Sequence, residues 1–284
     1  MKLLLPSVAS GFNLGRTRAK ARGYLLPTLL TLLTLLTLPP TVHALTIAES
    51  ELITGDLIRG ETDSAVYYYG DDGLRYLFPN DKTFFTWYEN FEEVKWISDE
   101  SLADIQIGGN VTYKPGVKMI KINSDPTVYA VAGASELRAI DSEKIAIELY
   151  GSTWNQHIDD VPDEFFEDYV LGSRIDLSSQ YNPDAEQADA FSIAADKGLH
   201  SYTLMEITSS GFSPSTVTIK DGTAVRFLNT DNENHSATEW DRVWESGTME
   251  PGDHFTHYFN EIGTWHFYSS YGDRNVFEGA VVVE

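Results

Sequence analysis

Gly211-Phe-Ser-Pro214, Thr216-Val-Thr-Ile-Lys-Asp-Gly222 and Val225-Arg-Phe-Leu-Asn-Thr-Asp-Asn-Glu-Asn-His235 follow one another near the end of this 284-residue chain. Each joins a short run of β-branched and aromatic residues to a turn rich in Gly, Pro, Asn or Asp, which is how a half-buried strand and its turn are written. Upstream, Leu204 and Glu206 alternate with Met205 and Ile207, so the series starts near Tyr202. Downstream, Pro251-Gly252, Ile262-Gly-Thr-Trp265 and Gly279-Ala-Val-Val-Val283 carry it to the end. Residues 201–284 are therefore expected to form an all-β sandwich.

The order of these strands and turns resembles the cupredoxin family in its plastocyanin-like form, which implies a Greek-key topology. In that family the histidine after the Asn-rich turn is a copper ligand, and a Cys, a second His and usually a Met come from the loop before the last strand. His235 stands in the first position, whereas Ser269 or Ser270 stands where the cysteine would be. Tyr271–Gly279 holds neither histidine nor methionine, and the whole chain has no cysteine. Type 1 copper needs a thiolate, and a serine hydroxyl cannot replace one for a soft metal, so composition excludes that centre. No cofactor is expected. Two readings of His235 stay open: it caps or packs the loop end of the sandwich, or it holds copper or another divalent ion weakly with the carboxylates of Asp273 and Glu278. His254-Phe-Thr-His257 has a familiar metal spacing, but it follows Pro251-Gly252 and alternates as a strand, so its two histidines are expected on opposite faces.

Working outward, residues 1–44 read as a signal peptide. Arg16, Arg18, Lys20 and Arg22 precede an uncharged, Leu-rich run, Tyr24–Leu38, and Val42-His43-Ala44 is a small-residue cleavage site. That run is shorter than the roughly 20 residues a membrane-spanning helix requires. The expected location is secreted or cell-envelope, with membrane contact only through an uncleaved N-terminal segment. The formal net charge is −23; the first 44 residues hold five Lys/Arg and no Asp/Glu, which leaves −28 on the rest. Such a surface repels nucleic acid, whose phosphates are bound by clustered Lys and Arg.

Between Asp56 and Asp176 the sequence repeats with a period near 62 residues. Asp56-Leu-Ile-Arg59 aligns with Lys118-Met-Ile-Lys121, Ala65-Val-Tyr67 with Thr127-Val-Tyr129, Leu74-Arg75 with Leu137-Arg138, and Trp87-Tyr88 with Leu149-Tyr150. Such a period means one supersecondary unit used twice. The units, 56–114 and 115–176, are read as α+β: three short strands, a hairpin at Gly70-Asp-Asp-Gly73, then a helix capped by Asn80 or Asp81. This pattern resembles a repeat of unsettled function in exported bacterial surface proteins. Residues 177–200 are polar and acidic and read as a linker with at most one helical turn.

Aromatic residues present only in the first unit are free to bind something. Tyr68, Tyr76 and Trp96 are the candidates for a platform under a sugar or peptide; the competing reading packs them between units or against the sandwich. The carboxylates Asp159-Asp160, Asp163-Glu164 and Glu167-Asp168 suit a solvated helix face. No nucleophile elbow, zinc-protease motif or phosphate loop occurs. The expected fold is thus α+β tandem repeats followed by an all-β cupredoxin-like Greek-key sandwich. The expected role is that of an exported, non-catalytic protein binding an envelope glycan or protein, with a metal-binding protein as the alternative and an envelope carbohydrate-active enzyme behind it.

Overall fold

Strand signals of two to eight residues, punctuated by turn residues, become four sheets in the computed structural model, which describes residues 46–284. The signal segment expected over 1–44 lies outside the described residues. The described chain is mostly β-sheet with some short helices.

The first sheet contains β1 (Thr46–Ile47), β2 (Leu57–Arg59), β3 (Tyr67–Tyr69), β4 (Arg75–Leu77), β5 (Val94–Ile97) and β6 (Ile107–Asn110), in the order β1-β5-β2-β3-β4-β6. The second contains β7 (Met119–Ile122), β8 (Asp125–Ala132), β9 (Glu136–Ala139), β10 (Ile158–Val161) and β11 (Val170–Leu171), in the order β10-β7-β8-β9-β11. Apart from the added edge strand β1, the two sheets share one scheme. Across each the successive pairings run parallel, antiparallel, antiparallel, parallel. Helices α1 (Asp81–Trp87) and α2 (Asp99–Asp104) follow β4 and β5; α3 (Glu143–Tyr150) and α4 (Asp163–Phe166) follow β9 and β10. Side-chain caps start most of these short helices: Asn80, Ser98 and Ser142 accept from the N–H three residues on, satisfying donors the helix leaves free.

Residues 201–284 supply two four-stranded sheets. One is β13 (Gly211–Ser213), β12 (Thr203–Thr208), β15 (Thr223–Asn229) and β17 (His254–Phe259). The other is β14 (Thr216–Ile219), β19 (Glu278–Val283), β18 (Gly263–Tyr268) and β16 (Thr238–Glu239). Alternate residues of both, Met205, Ile207, Val225, Phe227 and Phe259 against Val217, Phe267, Val281 and Val283, meet in a single core, so the pair is a β-sandwich.

The segment 177–200 departs from the expected linker. A 3-10 turn at Ser178–Gln180 leads into α5 (Pro183–Asp189) and α6 (Ile193–Lys197), and several of its side chains are buried. The Tyr181 hydroxyl donates to the Val131 carbonyl, Glu186 accepts from the Gly133 N–H and Asp196 from the Ala134 N–H. Ile193 and Ala194 enter the core under the first sheet. The polar side chains that suggested a linker are instead the anchors of a strap.

The first sheet meets the sandwich through a polar junction. Asp72, in the hairpin turn between β3 and β4, has no exposed surface. Its carboxylate accepts from the hydroxyls of Tyr76 and Tyr258 and from the Leu74 N–H. Arg226 of β15 donates to the Gly73 carbonyl at 2.6 Å and to Thr256 at 3.2 Å, with its guanidinium 4.5 Å from the Tyr202 ring centre. The Gln106 side chain closes two hydrogen bonds on the Thr256 backbone. Gly73 is required twice over: its φ is +73°, and a Cβ there would lie 2.3 Å from the Arg226 guanidinium.

Removing Asp72 leaves two hydroxyls and a buried amide without an acceptor. Asp72→Ala is expected to lower stability by about 2–4 kcal/mol, in one cooperative transition. Urea unfolding followed in parallel by tryptophan fluorescence and far-ultraviolet dichroism checks this; two separated transitions in the unsubstituted chain would contradict it.

Candidate functional site

Three side chains meet at the loop end of the sandwich. His235 follows the turn after β15, and its backbone pairs with that of Met249. Ser269 follows β18, where alternation turns Phe267 and Ser269 inward and leaves His266 outside. Ser269, rather than Ser270, therefore faces the histidine. Its Oγ lies 3.3 Å from His235 Nδ1, and His235 Nε2 lies 3.0 Å from Asp231 Oδ2. Both His235 and Ser269 are 2 % exposed, and Phe277 lies over the imidazole at 4.5 Å.

The proton assignment follows from the partners. Ser269 Oγ accepts from the N–H groups of Ser236 and Tyr271, so its own proton is left to donate to His235 Nδ1. The histidine proton then sits on Nε2 and is donated to Asp231. The hydrogen bond from His235, reinforced by the Asn232 N–H, holds the Asp231 carboxyl below the usual carboxylate range. The resulting carboxylate–imidazole–hydroxyl chain has the membership of a hydrolase triad, but its serine is buried and its oxygen already takes two amide donors. It offers a substrate no nucleophile.

Nor do these residues suit copper. The donor facing His235 is a hydroxyl, both imidazole nitrogens are engaged, and no second imidazole or thioether stands in Tyr271–Phe277. A copper ion at Nδ1 would have to displace the Ser269 proton and would find one nitrogen with no thiolate beside it. Asp273 instead accepts from the N–H of Asn275 and stabilises its own loop. Among the described residues, no three His, Asp or Glu side chains converge as a closed metal centre. His254 and His257 lie on β17 three positions apart, as a strand geometry separates them; His257 stacks on Trp244 at 4.7 Å.

The aromatic platform of Tyr68, Tyr76 and Trp96 does not form. Tyr68 and Tyr76 are register partners on β3 and β4, but they are 3 % and 4 % exposed. Ile193 and Ala194 of α6 share their core and Lys197 lies over the Tyr76 ring, so the strap misread as a linker covers them. Trp96, on β5, stays partly open on a different surface. There, Arg59, Ser64, Val66, Phe91, Val94 and Trp96 line a cavity of about 360 Å³. A second cavity of about 400 Å³ shares Ser64, Val66 and Phe91 and adds the polar groups of Asp63, Asn80 and Asp81. Phe91 is 47 % exposed and stacks on Phe84 at 4.2 Å, while Arg59 lies 4.1 Å from the Trp96 ring centre. An aromatic, Trp154, stands at the matching position of the second unit, a pattern that points to the core; only the fold reveals the open face of Phe91.

Comparison with known proteins is sparse. No family model matches the chain, and no curated protein matches it. Solved structures that resemble part of it are cupredoxins. A purple cupredoxin from Nitrosopumilus maritimus is 25 % identical, with a TM-score of 0.27, covering 29 % of this chain and 99 % of its own. A reduced amicyanin mutant is 18 % identical, with a TM-score of 0.27, over 29 % of this chain and 82 % of its own. A copper-containing nitrite reductase from Thermus scotoductus SA-01 is 18 % identical, with a TM-score of 0.28, over 30 % of this chain and 23 % of its own.

If Ser269 closes this site, Ser269→Ala should cost about 2–3 kcal/mol, since two buried amides lose their acceptor and His235 its hydroxyl. Amide hydrogen exchange should accelerate at residues 236 and 271 while the β12 and β15 amides keep their protection.

Proposed function

We propose that this protein is an exported, non-catalytic binding protein of the cell envelope, in which a cupredoxin-like sandwich serves as a structural module and the first α+β unit carries the binding surface. The observation that carries this reading is the closed Asp231–His235–Ser269 chain, which leaves the position of the family's metal filled by hydrogen bonds. The common strand scheme of the two α+β sheets, together with the sequence period, supports one unit duplicated in tandem, with the strap 177–200 wedged beside it.

The ligand suggested by the open surface is a glycan. Sugars present an apolar face bordered by hydroxyls, and the paired cavities set Trp96 and Phe91 beside Asp63, Ser64, Asn80 and Asp81 in the same arrangement of rings and acceptors. A net charge of −23 suits a neutral or amino-bearing polymer better than an anionic one.

Capture of the full chain on insoluble envelope glycan is the expected result, weakened about tenfold by Trp96→Ala or Phe91→Ala, a loss common for an interface aromatic, and unchanged by the buried substitution Tyr68→Phe. Retention by envelope protein after glycan digestion would replace the ligand class; capture indifferent to both ring deletions would remove the surface. On adding copper(II), no intense visible thiolate-to-copper band should develop. Tight copper binding lost on His235→Gln would return the metalloprotein alternative.

A further inference from the structure

The cavity beside Phe91 in the first α+β unit has a counterpart in the second. The first, of about 400 Å³, lies where the chain enters β3, leaves β4 and starts α1. The other, of about 300 Å³, lies at the same place among β8, β9 and α3. Backbone pairing fixes the correspondence. The Phe78 N–H donates to the Val66 carbonyl, and the Ile140 N–H to that of Val128. Tyr67 faces Leu77 across one sheet as Tyr129 faces Ala139 across the other. The displacement is 62 residues at each of these positions, one less than the sequence alignment takes at Leu74 and Leu137.

With that displacement the walls correspond residue by residue. Ser64, Ala65 and Val66 become Pro126, Thr127 and Val128, and Phe78 becomes Ile140. From the helix, Asn80, Asp81 and Phe84 become Ser142, Glu143 and Ala146. The rim is kept as well: Asp63 accepts from the Ala65 N–H at 3.0 Å, and Asp125 from the Thr127 N–H at 2.8 Å. Asn80 and Ser142 each spend an oxygen on their helix and keep protons to donate. A ring borders each cavity, Phe91 in the first and, 63 residues further on, the half-buried Trp154 in the second. Phe91 stacks on Phe84; where the helix gives up that phenyl for Ala146, the larger indole stands in place of Phe91. Protein interiors are close-packed, and a packing defect has no reason to keep its place, carboxylate, donor and ring while the rest of its wall changes.

We propose that the pocket beside Trp154 is a second glycan subsite, equivalent to the one beside Phe91, so that the chain holds a polymer at two points. This rests on the glycan reading of the first unit. The indole offers an apolar face to a sugar ring, and the Ser142 and Glu143 side chains offer a donor and an acceptor to its hydroxyls. Arg174, which pairs with Asp141, lines the second cavity and gives it a cation that the first lacks. Two weak subsites on one chain retain a polymer far better than either alone, because the second contact is intramolecular.

The probes are insoluble envelope glycan and a purified short oligosaccharide released from it. Calorimetry of the full chain with the oligosaccharide should give two sites, and one site after either Phe91→Ala or Trp154→Ala. On insoluble glycan, Trp154→Ala should weaken capture about tenfold, a common loss for an interface aromatic, and the double variant should not be captured. Trp154→Phe, which installs the ring of the first unit, should keep both sites. Nitrogen NMR of the unsubstituted chain needs no alanine variant to fold: the oligosaccharide should shift the Trp154 indole N–H, assigned from its absence in Trp154→Phe. A single site that Phe91→Ala removes and Trp154→Ala leaves intact, with the Trp154 signal unmoved, overturns the second subsite and leaves the first-unit reading standing. No binding by the unsubstituted chain, or binding indifferent to both rings, overturns the two together.

Discussion

A carboxylate with no solvent exposure survives only where every lone pair it needs has a donor, because an unpaired buried charge costs several kcal/mol. Asp72 meets that condition with donors from two halves of the molecule: Tyr76 and Leu74 from its own hairpin, Tyr258 from the sandwich. Neither half can satisfy it alone. Arg226 reaches back in the opposite sense, from the face of β15 turned away from the sandwich core to the carbonyl of Gly73 in the same turn. The turn and strand β17 are thereby held in one register. An acidic, cysteine-free chain that cannot use disulfides joins its parts by interlocked hydrogen bonds between buried polar side chains.

Period-two alternation made the sandwich strands legible, because one face of each strand is buried and the other wet. The turn Gly70–Gly73 and the cap Asn80 were legible for local reasons, since φ preferences and N–H capping need no distant partner. What could not be read was burial imposed from far along the chain. Asp72 sits in a turn whose composition says solvent, and its partner Tyr258 lies 186 residues away. The strap 177–200 shows the same limit: its Glu186 and Asp196 look like solvated charge until they are seen accepting from the Gly133–Ala134 turn. Read as a linker, the strap covers nothing, and Tyr68 and Tyr76 stand as surface rings; folded as α6, it buries both. One missed helix displaced two functional assignments.

The histidines of the sandwich show why composition alone cannot assign a metal. His235 occupies the position that a family resemblance favours, yet both its nitrogens are spent, one on a serine hydroxyl and one on a carboxylate. The Ser269 hydroxyl donates a proton to the imidazole and accepts two backbone amides, so the site has internal order without an ion. His254, which no family pattern marks, leaves its Nε2 without a hydrogen-bond partner, the Glu49 carboxylate standing 3.9 Å away. Whether a histidine binds metal is decided by what its second nitrogen and its nearest carboxylate are already doing.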